Sequence, residues 1–149
     1  MPLPRPELGL VVHYGFIWAG ANRRDPPDAG KHRPCVVVDV EEITEPTLGS
    51  RQVTRVTYLP ISHVAPRDGE RALAIPPRVA RHLGLTQERS FLYTSYAVED
   101  DWPFDLAPRP GSDGRFDYGF IPPRLFEAIA ADFAASLATG PGLVLGRSA

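Results

Sequence analysis

The sequence contains almost no cysteine and no long apolar run, and each absence excludes a class of protein. Cys35 is the only cysteine, which excludes an internal disulfide and a metal site built from several cysteines. Its place in a valine-rich stretch predicts a small buried side chain rather than a nucleophile. No apolar run approaches the ~20 residues of a membrane-spanning helix, and the N-terminus lacks the charged-then-apolar order of a signal peptide. We therefore expect a cytoplasmic protein that does not contact a membrane.

The charge is nearly balanced, with 16 basic and 18 acidic residues and a formal net charge of -2. This balance argues against strong, indiscriminate binding to nucleic acid. Lys31 is the only lysine, a bias toward arginine that we attribute to genome composition. Residues 23–33 are locally basic and residues 99–105 are locally acidic, and both stretches are also compatible with ordinary solvated loops.

The pattern of apolar residues predicts about five short strands and two helices. Strands are predicted over residues 8–18, 34–40, 51–61, 73–75 and 90–98. A short helix is predicted after Pro76 and ends at Gly84. A longer amphipathic helix is predicted from Pro122, because apolar residues then repeat every four positions. The sum is a mainly β domain with helices, of the α+β class.

The remaining segments lack periodicity and are predicted to be irregular. The chain of 149 residues suits one domain with its own core. Residues 1–7 are predicted to be an N-terminal arm and residues 140–149 a loose tail. Residues 19–31 are predicted to be a long loop, residues 41–50 a turn-rich connection and residues 99–119 an irregular excursion.

In two short segments, polar side chains lie next to the end of an apolar strand. In each segment a proline stands between the polar residues and the apolar ones. In the first segment, His32 and Arg33 precede Pro34, and a proline holds the residue before it extended. The guanidinium of Arg33 is therefore expected at the edge of a strand, where its five donors match phosphate oxygens. In the second segment, Ser62 and His63 follow the end of a predicted strand. We expect these side chains to meet and form a phosphate-handling site that uses no metal and no cofactor.

These side chains have the chemistry needed to cleave RNA through its own 2′-hydroxyl. An imidazole titrates near neutrality, so His32 or His63 can serve as general base or acid. Arg33 can stabilise the charge on phosphorus, and Ser62 can bind a phosphate or orient a ribose. A structural interpretation stays open, in which Arg33 pairs with a carboxylate and Ser62 and His63 cap a turn. His13 is interpreted as structural.

The order of several short motifs carries a resemblance. Gly-Leu-Val-Val at residues 9–12 is followed by a polar loop, by Arg-Pro-Cys-Val-Val-Val at residues 33–38, and by Leu-Pro-Ile-Ser at residues 59–62. This order resembles the MazF/PemK family of toxin endoribonucleases from bacterial toxin–antitoxin systems. The Lys-His-Arg-Pro and Pro-Ile-Ser-His motifs are similar to a longer branch of that family. Weaker similarity continues through short fragments between residues 75 and 125.

The resemblance implies an SH3-like β-barrel with a packed C-terminal helix, and a homodimer. It also implies metal-independent cleavage of single-stranded RNA that leaves a cyclic phosphate and a free 5′-hydroxyl. The catalytic arginine of the family falls on Arg33, and its hydroxyl residue falls on Ser62. The loop over the active site would be residues 19–32, and the tail of a cognate antitoxin would occupy the same groove.

Four residues of this region are predicted to bind RNA. Lys31, Arg23 and Arg24 supply positive charge in the loop, and Trp18 at its root is a candidate surface for stacking on an unpaired base.

The chain departs from the shorter members of the family just before the catalytic arginine. Their Gly-Ser-Glu-Gln-like turn is replaced by Asp-Ala-Gly-Lys-His, so the acidic and amide groups that directly precede the arginine are missing. We assign proton transfer to His32 and His63 on chemical grounds instead. An alternative function is a non-catalytic SH3-like barrel that binds RNA or a protein, and a weaker one is a barrel for a small ligand. Cleavage of RNA distinguishes the endoribonuclease hypothesis from the binding-module hypothesis.

Overall fold

The computed structural model describes residues 3–16, 32–46, 49, 51–85, 89–139 and 143–146. The strands are β1 (Leu10–Tyr14), β2 (Arg33–Glu45), β3 (Arg51–Ser62), β4 (Ala72–Ala74), β5 (Phe91–Tyr93), β6 (Tyr96–Asp101), β7 (Asp117–Phe120) and β8 (Leu143–Gly146). The helices are α1 (Pro77–His82) and α2 (Pro123–Thr139). The prediction of a mainly β chain with a C-terminal helix, of the α+β class, is confirmed.

The strands form one mainly antiparallel sheet in the order β4-β5-β3-β2-β1-β7. Strand β3 is long enough to pair with two neighbours on the side away from β2, with β5 at its C-terminal end and with β6 further back. Strand β8 pairs with β6 in parallel. Among the described residues no pairing joins β4 to β7, so the sheet is not closed.

Both faces of the central strands are buried. Leu10, Val12 and Tyr14 of β1 belong to one cluster of core side chains, whereas Val11 between them belongs to a second. Successive side chains of a strand point to opposite faces, so the sheet separates two cores. Helix α2 contributes to the second core through the fully buried Ile129. Within the described residues, no helix is long and apolar enough to cross a lipid bilayer.

The prediction that Cys35 is a small core residue is confirmed. Its side chain is fully buried on β2, and its thiol donates to the backbone carbonyl of Arg33 at 3.5 Å. Burial raises the pKa of the thiol well above its usual range, and the nearby charge of Arg33 opposes the shift only in part. The thiol therefore stays protonated at neutral pH.

Strand β2 is longer than the apolar pattern predicts. It continues through residues 41–45, where the sequence predicts a turn-rich connection. This part is held by polar pairs across the β2–β3 hairpin: Thr54 donates to Glu42, and Gln52 donates to Thr44 at 2.8 Å. Cross-strand polar pairs stabilise a hairpin without an apolar pattern. The prediction of a turn-rich connection was therefore wrong over residues 41–45, because it relied on apolar residues alone.

The single strand predicted over residues 90–98 is two strands, β5 and β6. The chain turns between them at Thr94 and Ser95, where Thr94 donates to Asp132 of α2 and Ser95 accepts from the backbone N–H of Arg71. The apolar run continues across the turn, so hydrophobicity alone does not reveal it.

Two further segments predicted to be irregular contain parts of strands. The excursion predicted over residues 99–119 begins inside β6 and ends inside β7. The loose tail predicted over residues 140–149 contains β8 at Leu143–Gly146, which pairs with β6 from Tyr96 to Glu99. The side of β6 away from β3 offers unpaired backbone groups, and β8 satisfies them.

Candidate functional site

A cavity of about 290 Å³ lies at one end of the sheet. Four of the residues that line it are those predicted from the sequence to be catalytic: Arg33, Ser62, His32 and His63. They come from two segments about 30 residues apart. The structure therefore brings the two predicted segments together.

The register between β2 and β3 explains why Arg33 and Ser62 meet. Cys35 lies opposite Pro60, and two further steps along antiparallel strands lead to Arg33 on one and Ser62 on the other. Arg33 begins β2 and Ser62 ends β3, and each is 8% exposed. A small hydroxyl and a guanidinium are thus fixed by backbone pairing rather than by a mobile loop.

Ser62 also makes the local contact that the structural interpretation expects. Its hydroxyl oxygen accepts from the backbone N–H of Val64 at 3.1 Å, which holds the turn after β3. A hydroxyl that accepts through its oxygen keeps its proton as a donor. The next residue, His63, is exposed and lines the cavity from this turn. The turn contact and a donor role toward a ligand are therefore compatible.

His32 lies against a carboxylate from a distant part of the chain. Its Nε2 is 3.3 Å from Oδ1 of Asp105. The backbone carbonyl of Asp105 accepts from the backbone N–H of Gly15 at 3.2 Å, and the backbones of Tyr14 and Leu106 form an isolated antiparallel β-bridge. These backbone contacts hold Asp105 beside the end of β1. A carboxylate at one imidazole nitrogen orients the ring and leaves Nδ1 to exchange a proton.

His13 lines the same cavity and is hydrogen bonded to a tyrosine. Its Nδ1 lies 2.8 Å from the hydroxyl of Tyr118 on β7, and its ring stacks on His32 with 5.7 Å between the centroids. Burial, followed by the positive surroundings of His32 and Arg109, lowers the pKa of His13 to about 4. Burial raises the pKa of Tyr118 to about 12. His13 and Tyr118 therefore form a neutral pair at neutral pH, so His13 supports the cavity wall as well as the strand.

Arg109 reaches the cavity from the segment between β6 and β7. Its guanidinium carbon lies 4.3 Å from the centre of the Tyr118 ring, and Nη1 donates to the carbonyl of Asp117 at 3.4 Å. A Cβ at Gly84 would lie 2.7 Å from Nη2, and Gly84 has a φ of 72°. Glycine is thus needed at position 84 both for the backbone turn after α1 and for the approach of Arg109.

Sequence reasoning missed Asp105, Arg109 and Tyr118 because it treated residues 99–119 as an irregular excursion that could cover an edge strand or narrow access to the groove, and assigned no site residue to it. A long irregular segment inside a small domain is usually functional, and this was the one signal that could have found them. Asp105 of this excursion places a carboxylate beside His32.

The predicted RNA-binding residues Trp18, Arg23, Arg24 and Lys31 lie outside the described residues. Their assignment stays a prediction from the sequence. In the part of the chain that the structure describes, no group of three or more His, Cys, Asp or Glu side chains is arranged to hold a metal ion.

In comparisons with known proteins, no family model, no curated protein and no solved structure matches the chain. The resemblance to the MazF/PemK family therefore rests on the short motifs of the sequence.

Proposed function

We propose that the protein is a metal-independent endoribonuclease that cuts single-stranded RNA, the toxin component of a toxin–antitoxin system. The observation that carries this proposal is the meeting of Arg33, Ser62, His32 and His63 at one cavity. These are the residue types that cleavage through the 2′-hydroxyl needs: a base, an acid, and fixed donors for the phosphate.

The chemistry assigns each residue a step. His32, oriented by Asp105 at 3.3 Å, removes the proton of the 2′-hydroxyl. The 2′-oxygen then forms a bond to phosphorus, and the bond from phosphorus to the 5′-oxygen breaks. His63, exposed at the turn after β3, protonates the leaving 5′-oxygen. The products are a 2′,3′-cyclic phosphate and a free 5′-hydroxyl.

Arg33 and Ser62 act on the phosphate during this step. Negative charge builds up on the non-bridging oxygens as the phosphorus becomes five-coordinate. The guanidinium of Arg33 donates to these oxygens, and the hydroxyl of Ser62 donates to one of them and sets the position of the phosphate. Both residues are 8% exposed, so their donors are largely shielded from water, and hydrogen bonds in such surroundings are stronger than in bulk solvent.

The proposal also covers the type of barrel, the oligomeric state and the antitoxin partner. We propose that the mainly antiparallel sheet with α2 on one face is an open variant of the SH3-like barrel of the MazF/PemK type. We also propose that the protein acts as a cytoplasmic homodimer. The cognate antitoxin would inhibit the enzyme by placing a segment of its chain in the cavity, in competition with RNA.

Substitution of Arg33 tests the proposal. The wild-type protein is incubated with a long single-stranded RNA in excess chelator, beside Arg33→Ala and the control Arg124→Ala, which changes an exposed arginine on α2. We expect the wild type and Arg124→Ala to cut at the same rate, and Arg33→Ala to lose about 100-fold or more, because a fixed transition-state donor is removed. Circular dichroism checks that all three proteins are folded.

Two results would contradict the proposal. Cleavage by Arg33→Ala at the wild-type rate would remove Arg33 from the mechanism. Intact RNA with folded wild-type protein would favour the non-catalytic binding module.

A further inference from the structure

Arg109 is a cation without a counter-charge in the described part of the chain. Its Nε is buried and makes no hydrogen bond there. Its guanidinium donates to the carbonyl of Asp117, lies over the ring of Tyr118 and approaches Gly84. None of these groups carries negative charge. A guanidinium that is partly removed from water without an anion beside it costs free energy.

Asp117 and Asp105 are acidic residues of the same segment or of the adjoining strand, and each carboxylate is engaged by another group. The carboxylate of Asp117, on the strand next to Arg109, accepts from Nε and Nη2 of Arg115 at 3.2 and 3.1 Å. The carboxylate of Asp105 lies against His32. The neighbouring imidazole of His13 is neutral at neutral pH, in part because of the charge of Arg109. The surroundings of the cavity therefore offer Arg109 no anion of their own among the described residues.

Arg109 shares the cavity with Arg33. The two arginines reach it from different elements: Arg33 from the start of β2, and Arg109 from the segment before β7. Two guanidinium groups at one cavity match a ligand rich in anionic oxygens, because each can bind two phosphate oxygens at once. A volume of about 290 Å³ lies at the lower end of ligand pockets, a size suited to one nucleotide unit.

We propose that Arg109 and Arg33 form a two-arginine site for a phosphoryl group, in which Arg109 holds a phosphate of the bound strand beside the residues that cut it. The naming of RNA as the natural ligand rests on the proposed function. Tyr118 supports this role because the guanidinium lies over its ring, 4.3 Å from the centroid, an attractive contact that favours this position of the side chain. Gly84 supports it because the missing side chain leaves room for the guanidinium at the cavity wall.

The test measures binding without cleavage. Isothermal titration follows inorganic phosphate and, separately, a single-stranded 2′-deoxy oligonucleotide, which has no 2′-hydroxyl and cannot be cut by the proposed reaction. The proteins are the wild type, Arg109→Gln, Arg109→Lys and the control Arg124→Gln, which changes an exposed arginine on α2. We expect Arg109→Gln to weaken binding of the oligonucleotide at least about tenfold, Arg109→Lys to weaken it less, and Arg124→Gln to match the wild type.

The two ligands identify the source of the phosphoryl group. Loss of phosphate and oligonucleotide binding together shows a site for the group itself, and loss of oligonucleotide binding alone shows a site for a phosphodiester strand. Equal binding by the wild type and a folded Arg109→Gln overturns the proposal, as does the absence of any binding by the wild type. If Arg109→Gln does not fold, equal binding by the wild type and Arg109→Lys overturns it. Binding that depends on Arg109, with RNA left intact by the wild type, leaves the two-arginine site standing and overturns only the endoribonuclease.

Discussion

His13 shows how one residue combines a structural and a chemical role. Its ring is hydrogen bonded to Tyr118 on one side and stacked on His32 on the other. It therefore fixes the position of the ring that we propose as the base. Its own proton affinity is suppressed, which keeps a further positive charge out of a cavity that already contains two arginines.

The lowered pKa of His13 predicts how stability depends on pH. The imidazole titrates at about 6.5 in the unfolded chain and at about 4 in the folded one, so between these values the unfolded state binds more protons. The free energy of unfolding should therefore fall as the pH is lowered from about 6.5 to 4. Urea denaturation across this range should show a weaker pH dependence for His13→Asn than for the wild type.

The matched control for this prediction is His82→Asn, which changes an exposed histidine at the end of α1. It should keep the pH dependence of the wild type. The same slope in His13→Asn as in the wild type would contradict the assignment of this effect to His13.

At the scale of the elements, α2 is joined to the sheet by a polar contact as well as by its apolar stripe. Asp132 of α2 accepts from Arg71, just before β4, and from Thr94, just after β5. Burial alone would raise the pKa of Asp132, but these two hydrogen bonds and the charge of Arg71 outweigh it and lower the pKa. The contact therefore links three elements at the turn that separates β5 from β6.

Asp132→Asn should destabilise the protein at neutral pH by about 1–2 kcal/mol, because a charged acceptor of two hydrogen bonds is replaced by a neutral one. Since the folded pKa of Asp132 is lowered, its contribution is complete above the usual pKa of aspartate and disappears as the pH falls through the lowered value. Urea denaturation at neutral and acid pH measures both effects. Glu127→Gln, an exposed change on the same helix, should have no effect, and an equal loss in the two variants would refute this role of Asp132.

The elements also show what the sequence can and cannot predict. Val36 lies in an uninterrupted apolar run and Ile129 in a four-residue repeat, and both are buried as predicted. Helix α2 and the central strands follow from such patterns because burial selects apolar residues at regular positions along the element. The break at Thr94 and the pairing of β8 depend on partners far away in the chain. A local pattern of apolar residues carries no information about such partners.

At the scale of the whole molecule, the candidate site is assembled from segments that are distant in sequence. Arg33 and Ser62 were predictable together because each lies at the end of a recognisable strand. For Asp105 and Arg109 the sequence offers only the length of their irregular segment, because their positions depend on how the segment between β6 and β7 packs against the end of β1. The same packing makes this segment a structural part of the cavity rather than a peripheral insertion.

The end groups of the cut RNA test the central claim most directly. The wild-type protein is incubated with single-stranded RNA in excess chelator, and the fragments are analysed by mass spectrometry. Attack by the 2′-hydroxyl at the cavity of Arg33 and Ser62 predicts 2′,3′-cyclic phosphate and 5′-hydroxyl ends, and no cutting of a 2′-O-methyl copy of the same RNA. Fragments with 5′-phosphate ends, or equal cutting of the methylated copy, would contradict it.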